Sequence, residues 1–246
     1  VGGSGFPFLR IPGANIQKGA HSKFSLVEFD NSFCFVGGGR NERSAIWKVS
    51  SSSSAGKIST DAIDNEIQKF SQAEIARSFA MTYSEQGQFF AVFTFESDSI
   101  PSRTFVYNAT ASVLSGVKVW FELQEGVSGP GNRWNVAAIV SAYGKLLVSD
   151  LTTSVIGEID ANTIDNYGSP MFRSVASQPF NQDGLPIFSG EIEATFESGT
   201  GMTTGQGSDP VVRMDYSDDG GRTFKAETTR KIGKIGEYDQ RSIWRR

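Results

Sequence analysis

Short apolar runs separated by turn residues dominate the first two thirds of the chain. FCFVGG (33–38) and FFAVFTF (89–95) are nearly continuous apolar runs, as expected for strands covered on both faces. VKVWFELQ (117–124) alternates more, as a strand with one wetter face does. Three stretches share the order strand, tight turn, strand, loop, strand. The first is SLVEF (25–29), FCFVGG and AIWKV (45–49); the second is FAMTY (79–83), FFAVFTF and TFVYN (104–108). The third is WNVAAIVSAY (134–143), KLLVSD (145–150) and VIGEID (155–160). The middle strands start at Phe33, Phe89 and Lys145, a constant step of 56 residues. A period of this size in an all-β sequence predicts β-propeller-like blades, with repeats near 20–58, 75–125 and 134–165 and VKVWFELQ as an added strand of the second. A β-sandwich with irregular loops would produce similar runs.

One helix is expected to interrupt the strands, over about 60–72. Ser59, Thr60 and Asp61 offer N-cap side chains, and Ile63, Ile67 and Phe70 recur at helical spacing, a stripe suited to core packing. A Ser-rich linker (50–57) precedes it. The blades are expected to fill residues 1–168. Residues 169–246 are expected to form a C-terminal β-hairpin sheet of longer strands, drawn from MFRSVASQPF (171–180), GEIEATFESGTG (190–201) and VVRMDY (211–216). Its clearest feature is SDDGGRTF (217–224), which has the order of an Asp-box turn: Ser217, Asp219, Gly221, Thr223 and Phe224. Asp219 can accept from the turn's own N–H groups, the glycines tolerate positive φ, and Thr223 and Phe224 are expected to begin the return strand and pack on the sheet.

Composition agrees with an all-β protein: 27 Gly and 19 Phe, with 20% charged residues. Cys34 and His21 are the only residues of their types, which excludes an internal disulfide and a Cys/His zinc cluster. Cys34 alternates with Phe33 and Phe35, so it reads as a small buried hydrophobe, and His21 as a turn or surface residue. With no long apolar run and no secretory signal, the expectation is a soluble protein, intracellular or virion-borne. The first residue is Val1, and a processed protein or fragment is expected from that. Charge is uneven: the net is −4, yet residues 222–246 carry +5, leaving −9 on the first 221. Arg230, Lys231, Lys234, Arg241, Arg245 and Arg246, with Trp244 among them, are therefore candidate interface residues for an acidic partner, unless they belong to a solvated terminal strand.

The run SDDGGRTF followed by RKIGKIGEYDQRSIWRR (230–246), with DPVVRMDY (209–216) before it and AYGKLLVSD (142–150) upstream, resembles the tail hub proteins of short-tailed phages of the Salmonella podovirus group. These are also called packaged-DNA stabilisation or head completion proteins. ISTDAIDNEIQKF (58–70), WNVAAIVSAYGKLL (134–147) and SQPF (177–180) carry the same resemblance, which thus covers nearly the whole chain. It implies a non-enzymatic structural protein of the virion, assembled in the host cytoplasm, without cofactor or metal. It implies self-assembly into a ring, a hexamer by expectation, below the portal and its head-to-tail adaptor. The ring would form the DNA passage, hold the tail needle, dock tailspikes and retain the packaged genome. A mainly acidic lumen would let genomic DNA slide past without sequence-specific binding, because phosphate affinity comes from clustered Lys and Arg.

Two other readings stand beside it. A sialidase-like glycosidase would need an arginine cluster, a Tyr nucleophile with a Glu partner and an Asp acid, and no arrangement here singles out such a set. Asp boxes also recur in those enzymes, whereas VEFDNSFCF and TYSEQGQFF lack the order. A glycan- or receptor-binding module would expose aromatic platforms, but Trp47, Trp120 and Trp134 lie in apolar strand patterns that predict burial. FVGGGRNER (35–43) and SGTGMTTGQG (198–207) lack the Lys and Ser/Thr of a nucleotide loop and read as plain loops. Regions 51–57, 126–133, 198–208 and 230–246 are expected to meet partners, on their exposure and composition.

Overall fold

The structure, a computed structural model, describes residues 16–50, 54–125, 133–160, 163, 165–180, 187, 189–226 and 228–245. The chain divides into two compact units, one up to Thr163 and one from residue 164 onward.

Unit one holds three antiparallel sheets in chain order. In the first, β1 (Gly19–Ala20) and β2 (Val27–Phe29) both pair with β3 (Ser32–Gly38), which is followed by β4 (Ala45–Val49) and β5 (Ala55–Lys57). Two short helices follow, α1 (Asp61–Ile67) and α2 (Gln72–Arg77). The second sheet is a four-stranded meander of β6 (Phe79–Glu85), β7 (Gln88–Phe95), β8 (Arg103–Asn108) and β9 (Val119–Leu123), with helix α3 (Ala109–Ser115) between its last two strands. The third is β10 (Val136–Ala142), β11 (Lys145–Asp150) and β12 (Ile156–Ile159). β3, β7 and β11, which begin at Ser32, Gln88 and Lys145, each lie between paired neighbours in their own sheet, and VKVWFELQ supplies β9. Mostly β structure in several sheets with short helices is what the sequence pattern requires, and among the described residues the sheets do not close into a ring.

Each of the three sheets reverses through the same turn. Asp30–Asn31, Gln86–Gly87 and Tyr143–Gly144 all have positive φ at both central residues, from 48° to 76°. That geometry matches the right-handed twist of the flanking strands. FVGGG departs from the loop reading, because its first half is the end of β3. A Cβ on Gly37 would lie 2.0 Å from the Gly19 carbonyl oxygen, so the glycine lets β1 close against β3.

The near-continuous apolar runs are explained by the second sheet, which is buried on both faces. Ala91, Phe93, Phe95, Phe105 and Tyr107 pack with Cys34, Val36 and Ile46 of the first sheet. The intervening residues Val92 and Val106, with Met81, pack with Val136 and Val148 of the third. Cys34 is buried as expected, and burial pushes its thiol up to about 12, which leaves it unreactive.

The helical stretch differs from the single helix expected over 60–72. Thr60 caps α1, accepting from the Ile63 N–H; the helix ends at Ile67 with Gln68 as its C-cap, and Lys69 and Phe70 close it through three-residue turns. Ser71 then starts a second helix through a capping box with Glu74. The break has a cause in the residue types: Ser71 competes for the backbone and restarts the helix. The stripe still packs as expected, with Ile67 and Phe70 buried and Ile63 half-buried in the first core. Helix α3 had no forewarning, since ATASVLS is short and its Val113 and Leu114 are exposed. It is held by Asn108 at its N-cap and by Gly116 at φ 71° past its end.

Helix α2 is tied to the β7–β8 connection by one carboxylate. Glu74 accepts from the Ser97 and Ser99 hydroxyls, and from the Ser71 hydroxyl and N–H, each at 2.7 Å. The Ser97 and Ser71 bonds hold its carboxyl down to about 2. Arg103 similarly joins α1 to β8 and β9, reaching Glu122 at 2.7 Å and Glu66 at 3.1 Å.

Unit two consists of short two-stranded ladders. β13 (Asp165–Asn166) pairs with β14 (Ser169–Pro170), β15 (Glu191–Ala194) with β20 (Ser242–Arg245), β16 (Val211–Val212) with β19 (Arg230–Lys231), and β17 (Asp215–Tyr216) with β18 (Lys225–Ala226). The expected sheet of longer strands is thus replaced by two- and four-residue pieces. Residues 171–180, read as a strand, form none within the described chain.

Two outcomes follow. Truncating Phe93→Ala should cost about 3–5 kcal/mol in chemical denaturation of unit one, as for a fully buried ring whose site cannot collapse. Because Glu74 titrates lower folded than its ordinary 4.5, its stabilisation is complete above that value and fades as pH falls toward about 2. The melting difference between the wild type and Glu74→Gln should therefore shrink across that window; a difference that stays constant would rule the bonds out as the source.

Candidate assembly interface

The Asp-box turn forms as the sequence predicts. Ser217 donates to Asp219 at 2.7 Å and accepts from the Gly221 N–H at 2.8 Å. Asp219 accepts from the N–H groups of Arg222 at 2.8 Å and Thr223 at 2.9 Å, and from the Thr223 hydroxyl at 2.5 Å. The Thr223 hydroxyl and N–H, then Ser217, hold its carboxyl well below the usual range. Gly220 and Gly221 take φ of 75° and 87°, closed to most side chains. One expectation fails: Phe224 is 62% exposed and the return strand begins at Lys225, so Phe224 does not pack on the sheet. A two-residue ladder offers no broad face to cover a phenyl ring. The side chains of Ser217, Asp219 and Thr223 are spent on closing the turn, so their chemistry is structural.

The basic residues near the end of the chain also have partners within the unit. Arg241 forms a bidentate pair with Glu193 at 2.6 and 2.7 Å, and Arg245 donates to Glu191 at 2.8 Å. Lys231 reaches Asp209 at 3.0 Å, Lys234 lies 3.9 Å from Glu237, and Arg230 donates to the Ile243 carbonyl at 2.7 Å. Arg241 keeps Glu193 below its ordinary value, and Asp209 raises Lys231. Lys231, Lys234, Arg241 and Arg245 thus each meet a carboxylate of the chain itself. The missed signal was in GEIE: its alternate glutamates meet Arg245, opposite Glu191 in the β15–β20 ladder, and Arg241, just before β20.

Trp244 is 3% exposed and its indole N–H donates to the Thr228 carbonyl at 2.6 Å. It packs inside its own unit, and its ring offers no contact face. Arg246 lies outside the described residues, as do 51–53 and 126–132 of the expected contact regions. In 198–208, the Ser198 hydroxyl donates to the Tyr238 carbonyl at 2.7 Å and Gly199 turns at φ 79° against the Tyr238 ring, so the loop is anchored in part.

The remaining tryptophans serve packing. Trp47 donates to the Gly37 carbonyl at 2.9 Å; Trp120 donates to the Ile58 carbonyl at 3.0 Å and lies 5.1 Å from the Tyr107 ring; Trp134 packs on the second core. His21 bonds Ser44 at 2.7 Å beside β1. Among the described residues, no group of three or more His, Cys, Asp or Glu is placed to hold a metal ion, and no helix is long and apolar enough to cross a membrane.

Two family models match the chain. The one described as Bacteriophage P22 Gp10, beta-propeller, spans residues 1–164, and the one described as Bacteriophage P22 Gp10, beta-sandwich, spans residues 181–246. The first ends one residue past the end of unit one. No curated protein matches the chain.

The turn's dependence on one carboxylate is measurable. Asp219→Asn should speed amide exchange at Arg222 and Thr223 at least tenfold while leaving exchange in β7 and β8 unchanged. Unaltered exchange at both residues would show that the glycines alone hold the turn.

Proposed function

The chain belongs to the Bacteriophage P22 Gp10 family, and we propose that it acts as one subunit of a ring that forms the tail hub below the portal and its adaptor. It is a structural, non-enzymatic protein of the phage tail, with a head-completion role in virion assembly. Within the proposed ring, the three stacked sheets are blades of a β-propeller, and the subunits, six by expectation, surround the passage that the genome leaves by. The ring holds the tail needle, docks tailspikes and retains the packaged DNA, and it is put together in the host cytoplasm.

The observation that carries this reading is the pair of family matches across both units, joined to a second sheet that buries both faces as a blade between neighbours does. The charge distribution supports the passage. A lumen that DNA must slide through should lack free Lys and Arg clusters, and here −9 falls on the first 221 residues while Lys231, Arg241 and Arg245 are matched inside the unit.

The test is light scattering of the 246-residue chain mixed with the portal and adaptor complex of the same phage. Co-migration at a defined stoichiometry is expected. A chain that remains at 26.7 kDa in the presence of that complex would overturn the hub reading.

A further inference from the structure

Two features of the chain are left open, and each has the form of the other's partner. The first is an edge. Counted from β2 and from β6, the first and second sheets each run to a fourth strand, β5 and β9, whereas among the described residues nothing pairs with the outer side of β12. The Asp150 N–H donates to the Val155 carbonyl, which makes that pair hydrogen-bonded. By antiparallel alternation, Ile156 and Glu158 then turn their N–H and C=O groups away from β11. Ile156 is 72% exposed. An unpaired edge of this kind is a template for another strand.

The second is an arm. Residues 171–180 belong to no strand or helix and are exposed throughout, although they carry Phe172 at 50%, Val175 at 98% and Phe180 at 84% exposure. Large apolar side chains held in water along one stretch mark a contact site. The arm exceeds the four residues of β12 and the five of β9 in length.

We propose that the arm of one copy adds to β12 of a second copy as the fourth strand of its third sheet. Each copy carries both halves, and among the described residues neither has a strand partner, so the occupant is assigned to another copy. Backbone hydrogen bonds to Ile156 and Glu158 hold the arm, and its apolar side chains leave water. Arm and edge are different surfaces, so the contact is head-to-tail and repeats from copy to copy, closing into a ring where the rotation permits. The inference deepens the ring reading above by naming the contact that builds it.

The test uses the 246-residue chain. Sedimentation over a range of concentrations should give a multiple of 26.7 kDa for the wild type and 26.7 kDa for the double variant Phe172→Asp, Val175→Asp. Both side chains are exposed in the single chain, so the variant should keep the wild-type melting temperature. An Ile156→Cys chain mixed with a Val175→Cys chain should give a disulfide-linked pair containing one of each; buried Cys34 does not compete. The inference is overturned by a wild type that stays monomeric at every concentration, by a double variant that assembles like the wild type, or by Ile156→Cys and Val175→Cys in one chain closing a disulfide within a monomer. A double variant that still assembles and still joins the portal complex removes the arm and leaves the tail-hub role standing.

Discussion

The structure of unit one depends on the burial of both faces of its second sheet. Val92 and Phe93 are neighbours in sequence, point to opposite sides, and are each fully buried in a different core. A strand offers its two faces at alternate residues, so covering both requires apolar side chains at consecutive positions. That is why FFAVFTF has almost no polar residue. Its one interior hydroxyl, Thr94, is fully packed and meets Thr104 across the ladder at 3.2 Å. An unpaired hydroxyl at that depth would be costly, and the cross-strand pair removes the cost.

How far the sequence could be read follows from the same physics. Strand positions in unit one were legible because the apolar runs, the positive-φ turns and the 56-residue step each report local geometry, and all three agree. The break between α1 and α2 was less visible, since Ile63, Ile67 and Phe70 continue their spacing through the last turn before Ser71 resets the helix. Helix α3 was not legible at all, because two of its larger side chains, Val113 and Leu114, face water and give no amphipathic stripe. In unit two the Asp-box turn was legible because all its partners lie within seven residues. The pairing of β15 with β20 was hidden, since it joins residues about fifty apart and nothing local to either strand reveals the other.

Charge gave a partial answer of the same kind. A sum over residues 222–246 shows an excess of positive charge, but a sum has no register. Once β20 lies against β15, Arg241 and Arg245 meet Glu193 and Glu191, and much of the excess is cancelled within a few ångströms. These pairs are exposed and individually weak, and their main effect is to fix which residues stand opposite. Phe224 and Trp244 show the complementary point: the aromatic beside the well-formed turn is wet, while the one flanked by arginines is dry.

The two units also differ in when they can take shape. In unit one each sheet is made of strands that follow one another closely along the chain, so contacts are local and form early. The β15–β20 ladder closes a long loop, and during synthesis Glu191–Ala194 has no ladder partner until Ser242–Arg245 has left the ribosome. A nascent chain therefore presents finished sheets followed by an unfinished unit, and a chain stopped before Arg241 would leave Glu191 and Glu193 as unmatched charge on an open strand.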